Sequence, residues 1–148
     1  HDIRSVYNVG AIFRTADAIG VSKIFLSGFT PTPLDRFGNL RKDFAKSALG
    51  SEKTVAWEYM RSPARLISSL RKGGTEIVAI EQSKDSVDYK KAKISPKALV
   101  VFGNEVSGVS GSILKKADKV LEIPMRGMKE SLNVSVSAGI VLYRLFDQ

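Results

Sequence analysis

The residues of this chain that could do chemistry fall in three stretches: NVGAIFRTADAIG, beginning at Asn8; VVFGNEVSG, ending at Gly108; and IPMRGMKESLNVSVSAGIVLYRL, from Ile123 to Leu145. Their polar members are Asn8, Arg14, Asn104, Glu105, Ser131 and Asn133, with Gly10 and Gly103 set among them. There is no cysteine, and His1 is the sole histidine. Thiolate chemistry, cysteine-ligated zinc, serine-histidine catalysis and a histidine-rich metal site are therefore excluded. What remains is a guanidinium suited to phosphate or a developing oxyanion, amides, hydroxyls and a carboxylate, and glycines that let backbone approach a ligand.

Each of these residues also has a purely structural reading. Gly10 can be a close-packing site and Arg14 a surface partner of Asp17 three residues on. Glu105 can be a carboxylate favoured by a helix dipole, and Asn104 a turn residue. Ser131 can cap a following helix. Met125 and Leu132 can belong to a core.

The elements that must hold these residues follow from hydrophobic patterning. From Asn8, apolar Val9, Ile12, Phe13, Ala16 and Ile19 recur at helical spacing, with Arg14 off that stripe. KIFLSGF (Lys23 to Phe29), TEIVAIE (Thr75 to Glu81), ALVVFG (Ala98 to Gly103) and KVLEIPM (Lys119 to Met125) are short apolar runs rich in β-branched residues, as strands buried on both faces are. Between them LRKDFAKSAL, SPARLISSLRK and VSGSILKKA read as helices, the second with Ser62 as N-cap and Pro63 at the first helical position. TPTPLDRFGN is the clearest long loop. Leu132, Val134, Val136, Ala138 and Ile140 alternate as in a strand, but the length and small residues of the tail favour a buried helix, apolar nearly all round. Alternating strands and helices predict an α/β fold with a mostly parallel sheet, and such sheets bind ligands outside the carboxyl ends of their strands.

Composition narrows the partner. The chain has 148 residues, 23 Lys and Arg against 15 Asp and Glu, and a formal charge of +8; its pI is near 9.8. This length suits one domain, and this charge favours a polyanion such as RNA. No apolar run approaches a membrane span and no signal pattern opens the chain, so a cytoplasmic protein without membrane contact is expected. In DRFGNLRKDFAK, Arg36, Arg41, Lys42 and Lys46 interleave with Phe37 and Phe44, a pattern for phosphate contact and base stacking, with Phe44 expected in the core. Arg126 and Lys129 flank the third stretch, where they could guide RNA. KKAK at Lys90 to Lys93 and the pair Lys115, Lys116 read as solvated faces. No dinucleotide fingerprint or phosphate loop is present.

Taken together and in this order, the three stretches resemble the signature of the SpoU-type (TrmH-like) RNA ribose methyltransferases of the SPOUT superfamily. The resemblance covers nearly the whole chain, as one catalytic domain. It implies a parallel α/β sheet whose C-terminal part forms a deep trefoil knot, which chain-topology rules alone would not suggest. It also implies a homodimer, an S-adenosylmethionine pocket, no metal, and methyl transfer to a 2′-hydroxyl of tRNA or rRNA. Position by position, Asn8, Gly10 and Arg14 match the first motif, with Arg14 as the catalytic arginine. Gly103, Asn104 and Glu105 match the second, with Gly103 at the cofactor. Ile123, Met125 and Leu132 match cofactor contacts, and Ser131 and Asn133 the polar pair beside the reacting groups. The alternatives are a catalytically silent RNA-binding module of the same fold and an RNA base methyltransferase of a sister branch. Relatives usually carry a strand, and often an RNA-reading domain, before the first motif; this chain opens at His1 and enters the motif almost at once, which suggests that upstream residues are missing.

Overall fold

The computed structural model describes residues 1–146, and these form two compact units that meet in sequence at Ser62 and Pro63. In the first unit, α1 (Val6–Ile19) begins where Ser5 accepts the Asn8 amide and ends at Gly20, whose left-handed backbone (φ 78°) returns its N–H to Ala16 and Asp17. The helix buries Val9, Phe13 and Ala16 of the apolar stripe, together with Gly10 beside that stripe, while Ile12 and Ile19 are half-buried. That face meets α2 (Lys42–Ala48): the Phe13 and Phe44 rings stand edge to face at 5.2 Å, both fully buried. A side chain at Gly10 would overlap the Ser47 hydroxyl and crowd the Phe44 carbonyl, so glycine there permits the helix contact. After α1 comes β1 (Ile24–Ser27), and after α2 come the short α3 (Ser51–Thr54) and β2 (Trp57–Met60), which pairs parallel with β1.

The second unit opens with α4 (Ala64–Lys72) and continues through β3 (Glu76–Ile80), β4 (Val87–Asp88), β5 (Ala98–Val101), α5 (Gly111–Leu114), β6 (Lys119–Glu122) and α6 (Val134–Phe146). Its sheet is parallel in every pairing, in the order β4-β6-β3-β5. The central strand β3 buries both faces. Ile77 and Ala79 pack with Ile67 of α4 and Ile113 of α5; Val78 packs with Leu121, Val141 and Leu145, the last two from α6. Helices thus cover both sides, as continuous apolar strands require.

The four strands read from apolar runs are all present, and the tail is a helix. Two details differ. Pro63 rather than Ser62 stands at the N-cap position of α4, its ring-fixed backbone (φ −78°, ψ −6°) leading directly into the first turn. The helix expected over VSGSILKKA shortens to the single turn of α5, since Ser110 and the turn at Lys116 bound it.

β5 and β6 flank β3 on opposite sides, so the connections diverge there. The carboxyl ends of these three strands form the crevice in which an open parallel sheet accommodates a ligand.

Candidate functional site

A cavity of about 320 Å³ lies at those carboxyl ends. Ile80, Glu81 and Gln82 continue β3 into it; Phe102 to Gly108 line it from the loop after β5; Glu122, Ile123 and Met125 line it from the end of β6. Glu130, Ser131 and Leu132 close it together with Val134 and Ser137 of α6. The structure therefore brings Gly103, Asn104, Glu105, Ile123, Met125, Ser131 and Leu132, all singled out in the sequence, to one place.

The loop after β5 is built tightly. Asn104 and Gly108 exchange both backbone hydrogen bonds at 3.0 Å, and Asn104 Oδ1 accepts the amides of Val106 (2.8 Å) and Ser107 (3.0 Å). The turn reading of Asn104 is thus realised, and Asn104 lines the cavity as well. A side chain at Gly103 would overlap the backbone of Gly108 and Val109. The need for glycine arises from the chain's own backbone, independently of any ligand. Glu105 sits in this turn, ahead of Ser110, the N-cap of α5, so it does not serve as that helix's first-turn carboxylate.

Asn133, rather than Ser131, caps α6. Its Oδ1 accepts the Ser135 amide (2.9 Å) and hydroxyl (2.6 Å) and the Val136 amide (3.4 Å). Ser131 is left exposed at the cavity. Arg126 and Lys129 are exposed on the loop between Met125 and Glu130, both of which line the cavity.

In the first unit, Asn8 lies in the first turn of α1 and Arg14 near its middle, exposed. Arg14 does not pair with Asp17; that carboxylate accepts the Thr54 hydroxyl at 2.5 Å. Arg36 stacks over the ring of Phe37 at 4.7 Å, and Phe37 is 73% exposed. Arg41 is held by Asp43 through two hydrogen bonds of 3.1 and 2.9 Å, and this contact draws the Asp43 carboxyl below its usual range. Lys42 is exposed, and Phe44 is core as expected.

Ile80, Glu81 and Gln82 were not singled out from the sequence. The signal was available: TEIVAIE ends a strand whose carboxyl end must share the crevice with its neighbours. Glu122, the last residue of β6, stands in the same position, whereas Val134 and Ser137 carry no such mark. The cavity lining includes the carboxylates Glu81, Glu105, Glu122 and Glu130 and no lysine or arginine, in a chain of net charge +8. No group of residues suited to hold a metal occurs among the described residues.

Known proteins resemble this chain in sequence and in fold. The chain is 36% identical over 142 residues to a tRNA (guanosine(18)-2′-O)-methyltransferase of Aquifex aeolicus, covering 96% of the chain and 64% of that protein. It is 35% identical over 140 residues to the 23S rRNA (guanosine-2′-O-)-methyltransferase RlmB of Neisseria meningitidis, covering 95% of the chain and 53% of that protein. The chain thus spans less than two thirds of the length of either relative. The crystal structure of the A. aeolicus TrmH/SpoU tRNA modifying enzyme superposes with a TM-score of 0.84 at 34% identity, over 97% of this chain and 69% of that one. An AdoMet-bound rRNA methyltransferase from Sinorhizobium meliloti gives 0.86 at 29% identity, over 97% and 52%. The sequence model of the SpoU rRNA Methylase family matches residues 1–143, and with a parallel sheet, a strand-end cavity and the three motifs in place, the chain belongs to that family.

Proposed function

We propose that this chain is the catalytic part of an S-adenosylmethionine-dependent methyltransferase acting on a ribose 2′-hydroxyl of tRNA or rRNA. The observation that carries the reading is the cavity: it gathers residues of two family motifs and, in a basic chain, is lined by carboxylates and no basic side chain. Such a lining fits a cationic ligand, while the polyanionic substrate is matched by the charge of the chain as a whole. The volume suits a small molecule.

When bound, S-adenosylmethionine supplies an electrophilic methyl group on a sulfonium, so a ribose hydroxyl held in line with it needs no metal and no nucleophilic side chain. Ile123, Met125 and Leu132, with Ile80 and Phe102, provide the apolar surfaces for the adenosyl group. The carboxylates offset positive charge. Asn133 fixes the start of α6 and thereby the Ser131–Leu132 segment before it. Arg14 grips an RNA phosphate and offsets the negative charge that develops on the ribose oxygen as the O–CH3 bond forms, the S–CH3 bond breaks and the hydroxyl proton passes to a neighbouring group or water. Arg36, Arg41, Lys42, Arg126 and Lys129 hold the RNA backbone, with Phe37 as a stacking surface.

The same reading includes the trefoil knot and a homodimer. The knot is carried over from the family whose three motifs the chain holds in order. The dimer is supported by α6, which exposes Val136, Tyr143 and Phe146 along one side, with open space at Gly139.

The test is transfer of labelled methyl from S-adenosylmethionine to unmodified tRNA and rRNA, followed by alkaline hydrolysis. Label in alkali-resistant dinucleotides is expected; label confined to mononucleotides would mean base methylation, and no label would overturn the assignment. In the same assay Arg14→Lys should lose most of its rate, since an ammonium lacks the planar fork; a near-normal rate would remove the proposed grip.

A further inference from the structure

The first two residues after β3 tie together the two loops that wall the cavity. The Glu81 amide donates to the Leu121 carbonyl at 3.0 Å, which extends the β3–β6 ladder and fixes the residue's backbone. Its carboxylate then turns toward the loop after β5. Oε2 accepts the Val109 amide at 2.7 Å and Oε1 accepts the Gln82 amide at 2.8 Å. Gly108, at φ +68°, leaves room for it, because a side chain there would overlap Glu81 Oε2. Gly103 in turn lies against the Gly108 backbone, so Glu81, Gly108 and Gly103 form one packed stack. Gln82 points the other way: its Nε2 donates to the Glu130 carbonyl at 2.7 Å. That bond reaches the opposite wall, one residue before Ser131.

We infer that Glu81 and Gln82 are positioning residues: a clamp at the carboxyl end of β3 that sets the separation of the two loops and so the width of the cofactor cavity. The inference rests on the methyltransferase reading and deepens it. Both carboxylate oxygens of Glu81 are engaged by backbone amides, so its part is to hold the Gly103–Val109 loop rather than to move a proton. Gln82 supplies an amide donor where the loop carbonyl needs one, a bond that glutamate could not make while ionised.

The test uses the full chain and two readouts. Amide hydrogen exchange of the protein without ligand is compared for wild type, Glu81→Ala, Glu81→Gln and Gln82→Ala, alongside the Kd for S-adenosylmethionine. Glu81→Ala is expected to speed exchange at Val109 and in the Gly103–Gly108 turn and to raise the Kd roughly tenfold, the scale of losing hydrogen bonds to a charged group. Glu81→Gln, which keeps one acceptor oxygen, should recover part of both effects. Gln82→Ala is expected to speed exchange only around Glu130 to Leu132 and to raise the Kd about threefold, the scale of one neutral hydrogen bond. Where a variant transfers methyl groups, its loss should appear in KM for the donor with kcat nearly kept. Unchanged exchange in both loops, or exchange raised evenly across the whole second unit, would overturn the clamp. Failure of the wild type to bind S-adenosylmethionine would instead strike the functional reading, and exchange would still decide the clamp.

Discussion

The two walls of the cavity are built on opposite plans. Along the loop after β5, the Asn104–Gly108 backbone pair, the Asn104 side chain, the Glu81 carboxylate and the packed glycines hold nearly every turn of the chain. Along the loop after β6, residues Arg126 to Leu132 are exposed, Met128 completely, and the Gln82–Glu130 bond is the one hydrogen bond they make among the described residues. Order resumes at Asn133, which caps α6. The difference teaches how such a site divides its work. A wall fixed in advance lowers the entropic cost of binding a small cofactor. A sparsely bonded wall carrying Arg126 and Lys129 can adjust to a large substrate, because weakly bonded segments are the ones that rearrange most readily.

Glycine substitutions should break the contrast most sharply. Gly103→Ala must displace the Gly108 backbone and is expected to cost about 1–3 kcal/mol, the range for overpacking, with loss of cofactor binding. Gly127→Ala, which meets nothing within 4 Å, should stay within about 0.5 kcal/mol. Urea denaturation of both variants measures the difference; equal costs would mean that the two walls are alike. Next in size is Asn133→Ala, which removes the α6 cap and should cost about 1 kcal/mol. Exchange should then rise in the first turn of α6 and leave the Asn104–Gly108 turn unaffected.

Acid offers a way to loosen the sheet at the end remote from both walls. Burial works to raise the Glu76 carboxyl, but the Lys119 ammonium at 2.6 Å and the Ser95 amide outweigh it, so the group lies below its usual value of 4.5. A depressed folded-state pKa means stability that is present above the unfolded value and lost as pH falls through the folded one. The urea midpoint of the wild type should therefore fall more steeply below pH 4.5 than that of Glu76→Gln, whose midpoint should change less over the same window. Parallel curves would deny the ion pair its part. The smallest effect is expected for Arg126→Ala with Lys129→Ala. RNA affinity should weaken and the salt slope flatten by about one unit for each phosphate no longer neutralised, with cofactor affinity unchanged. An unaltered slope would take these residues off the RNA path.

Much of this organisation was legible in the sequence because its strands are buried on both faces. β3 and β5 advertise themselves as apolar runs, β6 by Val120 and Leu121 followed by Ile123, and the three position the cavity. β2 was hidden: WEYM carries Glu58 and Tyr59 on solvent, so it shows neither a run nor a clean alternation. β4 pairs through two residues only, too few for any pattern. Within the site, residue types revealed the stretches but not the division of labour. Nothing local distinguishes Ser131 from Asn133 as the cap; the start of α6 decides it. Nor does sequence show that Gly103 faces Gly108, a contact between residues brought together by a turn. Glu81 closes an apolar run without standing out from it, because its partner, the Val109 amide, lies across the fold.

The most direct test of the central claim is to record amide chemical shifts of the chain as S-adenosylmethionine is added. Saturable changes centred on Ile80 to Gln82, Phe102 to Gly108 and Ile123 to Leu132 are expected. Saturable changes centred elsewhere, or none at all, would contradict the assignment of the strand-end cavity as the cofactor site.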